Sequence, residues 1–369
     1  MRVLLIANSK VVFGKELKNE LNNSEMGMDV SLLDFASLTL TDAKNNEYLK
    51  YNKSFSPYKN IPKISMFFRM LTIRRLLNEI HFDVVNIHIS RWFYIFILKS
   101  LTQQKLVITF YGSDFYRTSN FIKKIQTVMY KKADSITFTN PLTKQSFLEY
   151  YKDFEKKSYV CRFGLKTLDY IDKNREKSKE DIKILLGYNT KKIIVTCGYN
   201  ATKAQQHKEV IVNIVRLEKS VKNKIQFIFP MTYGDMSYKE EIKQVLLKTD
   251  LDYIVLEDFL YEDDNAYIKL ASDIMINVLE TDSFSGSMQE FLYANNMVIV
   301  GSWLPYDLLE NEEIKFTQID KISILVDLIP NMLNNIKTYT DKLSLNRKII
   351  YSLTSWKNNL GIWLNVYRK

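Results

Sequence analysis

DIMINVLETDSFSGSMQEFLYANNMVIVG, residues 273–301, carries the fold in miniature. DIMINVL (273–279) is an apolar run with the length of a buried strand. MQEFLYANN reads as a helix, and MVIVG (297–301) as the next strand. Strands alternating with helices in this way predict a mostly parallel sheet with helices on both faces. The connecting loop holds Asp282 and Glu290, eight residues apart, around Ser285, Gly286 and Ser287.

The same rhythm extends in both directions. Upstream, VLLIAN (3–8), MDVSLLDFA (28–36), FDVVNIHI (82–89), KLVITFYGSD (105–114), DSITFTN (134–140) and KSYVCRFGL (157–165) are strand candidates separated by helical stretches. The polar stretch 39–61 reads as an exposed flap. KTLDYIDKNREKSKEDIKILLGYNTK (166–191) breaks the apolar rhythm, which restarts at KIIVTCGYN (192–200). We therefore expect an N-terminal domain over 1–170, a linker over 171–191 and a C-terminal domain over 192–350. The terminal helix, 351–369, is expected to pack back on the N-terminal domain. Strand–helix alternation in both halves predicts an α/β chain of two doubly wound, Rossmann-like domains facing a cleft.

Composition narrows the function. The chain has 369 residues, of which 46% are apolar, enough for two cores. Cys161 and Cys197 form no CxxC pair or disulfide framework, so a reducing, cytoplasmic setting is expected. The apolar run WFYIFIL (92–98) is far too short to span a bilayer. The net charge is +10 and uneven: residues 1–170 hold 26 Lys and Arg against 15 Asp and Glu, the remainder 26 against 27. Phosphate-bearing partners are implied for the first half. A nucleic-acid partner is not expected, because no RNP-like, KH-like or zinc-finger pattern occurs. His81, His88 and His207 lack clustered ligand spacing, so no metal is expected.

Ligands of doubly wound sheets gather at the carboxyl ends of strands. Gly14, in NSKVVFGKEL, lies between a first strand and its helix, where a diphosphate or sugar could approach the backbone. It lacks the GxGxxG dinucleotide fingerprint. Asp114, in FYGSDFYR, can bond a substrate hydroxyl or cap a helix. Lys203 and Lys208, with His207 between them, follow Gly198 and could hold a phosphate; the spacing does not choose between them. Thr232, before Tyr233 and Gly234, ends the run FIFP with a base- or phosphate-binding possibility. Amides of Ser285, Gly286 and Ser287 at a helix start suit a phosphate, Glu290 suits vicinal hydroxyls such as ribose, and Asp282 could face a sugar ring.

These motifs resemble a GT-B glycosyltransferase of the large retaining family, family 4-like, that builds bacterial polysaccharides. That family carries an acid, seven residues and Glu at a strand–helix junction, here DSFSGSMQE (282–290). The family usually has Glu where this chain has Asp282. FYGSD is similar to its HGSD-like loop, with Tyr111 in the histidine position, and CGYNATK to its phosphate-binding loop, without the Lys-Gly pair. FPMTYG with Tyr238 also resembles the inverting transferases of 4-acetamido-4,6-dideoxygalactose.

The resemblance implies transfer from a UDP-, GDP- or dTDP-sugar to a polyprenyl-diphosphate-linked or growing glycan acceptor, without metal. Glu290 would bind ribose and Asp282 the donor sugar. Ser285–Ser287 and Lys203 or Lys208 would hold the diphosphate, with Gly14 beside it. Asp114 would be the base of an inverting reaction. The helix ISMFFRMLTIRRLLNEI (64–80), with Arg69, Arg74 and Arg75, would attach the protein peripherally to the anionic inner face of the cell membrane.

Overall fold

The computed structural model describes residues 1–369 except 9–11, 26, 42–46, 49–60, 283, 307–312 and 342. Most of the expected flap lies outside the described residues. The chain divides into two compact units, Met1–Gly164 with Trp356–Lys369, and Leu165–Ser355.

The first unit is built on β1 (Arg2–Ala7), β2 (Asp29–Asp34), β3 (Leu40–Thr41), β4 (Glu47–Tyr48), β5 (Val84–His88), β6 (Lys105–Phe110), β7 (Ser135–Phe138) and β8 (Ser158–Val160). Their order in the sheet is β4-β3-β2-β1-β5-β6-β7-β8. Pairing is parallel from β2 through β8, while β3 and β4 add an antiparallel edge. β1 and β5 are buried almost throughout, because helices cover both faces of a parallel sheet and every side chain meets one. Phe110 and Phe138 stack at 5.2 Å on one face of this core.

The helix Trp356–Arg368 completes that unit. Trp363 is fully buried and donates to Arg162 O at 2.9 Å. Asn86 Nδ2, in the central strand β5, donates to the Tyr367 hydroxyl at 2.7 Å, so the chain's last turn satisfies a buried amide of the sheet.

The second unit contains β9 (Ile193–Cys197), β10 (Ile225–Pro230), β11 (Tyr253–Leu256), β12 (Ile274–Asn277), β13 (Met297–Gly301) and β14 (Thr317–Ile319). All pairs are parallel, in the order β11-β10-β9-β12-β13-β14. The first strand of this unit is central, and the order reverses between β9 and β12. That is the Rossmann arrangement, with its ligand crevice at the reversal.

Residues 171–191, read from sequence as a linker, lie inside this unit. Helices Thr167–Asn174 and Lys179–Leu185 fasten to neighbouring segments through Asn174 Nδ2 to Asp263 Oδ1 at 2.6 Å and Lys179 Nζ to Asp273 Oδ1 at 2.6 Å. The polarity that suggested a linker is the outer face of these short helices. Buried Leu168, Ile171 and Ile182 are their inner face.

Candidate functional site

The reversal between β9 and β12 gathers the loops that follow β9, β10 and β12. Glu280 N donates to Ala204 O at 2.9 Å, and Gln206 Nε2 donates to Val278 O at 2.6 Å, joining the β9 and β12 loops. Ala201 N donates to Tyr233 O at 2.7 Å and Asp235 N to Ala201 O at 2.8 Å, joining the β9 and β10 loops. This zipper requires Gly234: its φ is +125°, and a Cβ there would stand 2.5 Å from Ala201 O. Asp235 then caps the helix Met236–Leu246 by accepting from Ser237 N at 2.9 Å.

The helix Gly286–Tyr293 opens at the same place. Asp282 Oδ2 accepts from Ser285 N at 2.9 Å, and the Tyr306 hydroxyl donates to the same oxygen. Asn277 Nδ2, at the end of β12, donates to the Tyr306 hydroxyl at 3.2 Å. Ser285 Oγ caps the helix by accepting from Met288 N at 3.3 Å. The amides of Gly286 and Ser287, at N1 and N2, have no protein acceptor among the described residues. Phe284 holds a φ of +71°, a left-handed conformation uncommon for an aromatic residue, within the loop that aims them.

Glu290 lies one turn further in. It is 8% exposed, and its Oε2 is 3.1 Å from Lys269 Nζ. Asn265 Oδ1 accepts from the same ammonium. Tyr233 exposes half its ring, while its hydroxyl end faces Asn200 and the Glu290 charge. Desolvation of that hydroxyl, reinforced by the carboxylate, raises its pKa. Burial, with the Asp282 charge, also raises the pKa of Tyr199.

The fold therefore collects Asp282, Ser285, Gly286, Ser287 and Glu290 on one loop and helix start, with Lys203 on the facing β9 loop and Thr232 at the end of β10. Lys203 is exposed and has no carboxylate partner among the described residues. Lys208 instead points to Glu241, with which it forms an ion pair. His207 is 1% exposed, neither ring nitrogen has a partner among the described residues, and burial lowers its pKa to about 4. It is a neutral core side chain.

Gly14 and Asp114 belong to the first unit. A Cβ on Gly14 would meet Ala7 Cβ at 3.2 Å and Leu32 Cδ1 at 3.8 Å. The bare side of this glycine thus faces the sheet, where it permits close helix–strand packing. Asp114 is 3% exposed, and three backbone amides occupy its oxygens: Ser90 N at 2.8 Å, Tyr111 N and Gly112 N both at 3.0 Å. Burial pushes its pKa up to about 6 against the pull of those amides. So engaged, it pins the β5 and β6 loops together rather than standing open as a base. The turn it holds contains Ile89 at φ +67°, a strained setting for a β-branched residue. His88, beside it, accepts or donates one bond to the Tyr111 hydroxyl at 3.0 Å, and burial holds it neutral, with a pKa near 3.

The basic helix Pro62–Glu79 engages part of its charge within the chain. Arg69 Nη1 donates to Phe35 O and Ala36 O, and Arg75 pairs with Glu79 at 2.7 Å. Met70 and Leu76 are core residues. Two of its three arginines thus serve the fold. Sequence reading missed Tyr306, Tyr199 and Lys269. Each reaches the site from another segment, and only a three-dimensional arrangement joins them to it.

Residues 2–140 match the family described as "Glycosyl transferase 4-like". No curated protein matches the chain. Among solved structures, it is similar over its whole length to HepE of Anabaena in complex with UDP and glucose, with 11% identity, all of that chain covered and a TM-score of 0.73. It is similar to a glycosyltransferase of Rickettsia africae with 17% identity, 97% of that chain covered and a TM-score of 0.73. Sucrose-phosphate synthase of Thermosynechococcus elongatus gives 10% identity, 98% coverage and a TM-score of 0.75, again with this chain fully covered. The fold is GT-B: two Rossmann-like domains, each a parallel or mixed sheet flanked by helices. Among the described residues, no group of His, Cys, Asp and Glu is placed to hold a metal ion, and no helix is long and apolar enough to cross a membrane.

Proposed function

We propose that this protein is a glycosyltransferase that moves a sugar from a nucleotide sugar to a lipid-linked or growing glycan acceptor. The observation that carries this reading is the switch point of the second unit. Two free helix-start amides, an unpaired lysine and two carboxylates stand together on loops at the carboxyl ends of β9 and β12. Such a set suits a nucleoside diphosphate with a sugar attached. UDP, bound by HepE, is the first nucleotide to test.

In this reading the amides of Gly286 and Ser287, with Lys203, hold the diphosphate and stabilise the charge that grows on it as the glycosidic bond breaks. Glu290 accepts from the ribose hydroxyls through the oxygen that Lys269 leaves open. Asp282, held by Tyr306 and Ser285 through one oxygen, turns the other toward the donor sugar. We favour retention of configuration, in which the departing phosphate oxygen takes the proton of the attacking hydroxyl and no protein base is needed. The amide bonds on Asp114 disfavour it as the base an inverting dTDP-sugar transferase would need. Tyr238, which took part in that resemblance, is 4% exposed and packs 5.8 Å from the His207 ring in the core. The basic first unit suits an acceptor carrying phosphates at the inner face of the membrane.

The test is a donor screen with lipid-linked acceptors, followed by NMR of the product's anomeric configuration. Transfer with retention supports the whole reading. Transfer with inversion removes the mechanism but keeps the enzyme. No turnover of UDP-, GDP- or dTDP-sugars would sink the proposal.

A further inference from the structure

The helix Asn120–Lys132 turns Gln126, Met129 and Tyr130 into the core of the first unit. Its outer face presents Phe121, Lys124, Val128 and Lys131 at i, i+3, i+7 and i+10, a single helical stripe. Phe121 is 71% exposed, the largest exposure of any bulky apolar side chain described, and Val128 is 53% exposed. The helix has four lysines and no acidic residue. Lys124, Lys131 and Lys132 have no carboxylate partner among the described residues.

The stripe has aromatic neighbours on a connected surface. Tyr116, half exposed, donates to Ser146 Oγ at 3.3 Å. Four residues on, Tyr150 is 42% exposed, and Lys123 Nζ sits 5.1 Å from its ring centroid and 4.0 Å from that of Phe115. A shallow groove of about 340 Å³ runs along this side between Lys131, Tyr150 and Lys152. Its acids are Glu149 and Asp153. Asp134, at the end of the helix, is occupied by Leu106 N at 2.8 Å.

We propose that this face docks on an anionic lipid bilayer, with Phe121, Val128, Tyr116 and Tyr150 at headgroup depth and the lysines on lipid phosphates. Aromatic side chains suit that depth, and each basic residue near an anionic surface adds attraction. Charge complementarity favours this occupant. The first unit holds 28 Lys and Arg against 14 Asp and Glu, the second 24 against 28. The purpose of docking rests on the lipid-linked acceptor proposed above, and the face differs from the helix Pro62–Glu79, whose arginines are largely spent on the fold.

The test is flotation of the full chain with phosphatidylcholine vesicles, with and without phosphatidylglycerol, alongside thermal shift by UDP. The wild type should float with the acidic vesicles only and release in high salt. Lys124→Glu with Lys131→Glu should weaken that binding by about tenfold or more. Phe121→Ser with Val128→Ser should also lose it. Phe67→Ser with Leu71→Ser, on the other helix, should retain it. No binding of the wild type, or loss only in the Phe67 and Leu71 variant, overturns the proposal. So does a stripe variant that abolishes self-association or nucleic-acid binding while leaving flotation intact. The nucleotide response should be equal in all variants. Its absence from a wild type that still floats would overturn the donor assignment and leave this face standing.

Discussion

Lys269 Nζ lies 3.1 Å from Glu290 Oε2, with both side chains almost wholly removed from solvent. The ammonium fixes the orientation of this carboxylate on the helix that follows β12. Removing one partner of a buried pair strands the other charge. Lys269→Met should therefore lower stability by about 3–5 kcal/mol, visible as a fall in Tm. Glu290→Gln should cost less, since Asn265 still accepts from Lys269, yet weaken nucleotide binding. An unchanged Tm in Lys269→Met would contradict this account.

The two candidate phosphate lysines separate by their partners. Lys203→Ala should weaken UDP binding by about tenfold, the order of a lost charge-assisted hydrogen bond, and leave uridine binding unchanged. Lys208→Ala should change UDP binding by less than about twofold, because Lys208 is paired with Glu241 at the surface. Calorimetry with UDP and uridine reads both. The reverse ranking would move the diphosphate to the other lysine.

Gly234 is predicted to be intolerant of any side chain. Gly234→Ala places a Cβ 2.5 Å from Ala201 O at a φ of +125°. The loops must part, at a cost of about 1–3 kcal/mol, with loss of the Ala201 and Asp235 amide bonds. Urea unfolding measures the first. Faster hydrogen exchange at Ala201 and Asp235 reports the second, and normal protection of both amides would refute the zipper.

Acid should destabilise the fold through its buried histidines. His88 and His207 have folded pKa values near 3 and 4, below the unfolded value of 6.5. The unfolded chain takes up their protons first, so their contribution is full above pH 6.5 and lost as pH falls toward those lower values. Each should cost about 2 kcal/mol between pH 7.5 and 5. Asp114 acts in the opposite sense. Its folded pKa, about 6, exceeds the unfolded 3.8, so its contribution is fullest below 3.8 and declines as pH rises through 6. It should offset about 1 kcal/mol over the same range. Urea unfolding of wild type and His207→Gln at the two pH values tests this, and the variant should lose about 2 kcal/mol less than the wild type.

Much of the second unit was legible because its strands are parallel and buried on both faces. DIMINVL and MVIVG needed no partner information to be recognised as strands, and the loop between them had to fall at a carboxyl end. Glu290 could be placed one helical turn from Ser285 by spacing alone. Its partner Lys269 could not, since that contact depends on how the Glu262–Ala271 helix lies. Gly14 and Asp114 are ambiguous in sequence for a related reason. A glycine after a strand can serve a ligand or the sheet, and an aspartate in a loop can face substrate or backbone amides. Only neighbours from β2 and β5 decide. Arg69 looked available for lipid until the carbonyls of Phe35 and Ala36 were seen to claim it.

A nucleotide sugar bound at the β9–β12 switch point underlies the whole proposed function. Titration calorimetry of UDP, GDP and dTDP against wild type and Glu290→Ala tests it most directly. At least one nucleotide should bind the wild type saturably, with affinity weakened about tenfold or more in the variant as ribose contacts are lost. Equal affinity in the two proteins, or no binding of any of the three, would contradict it.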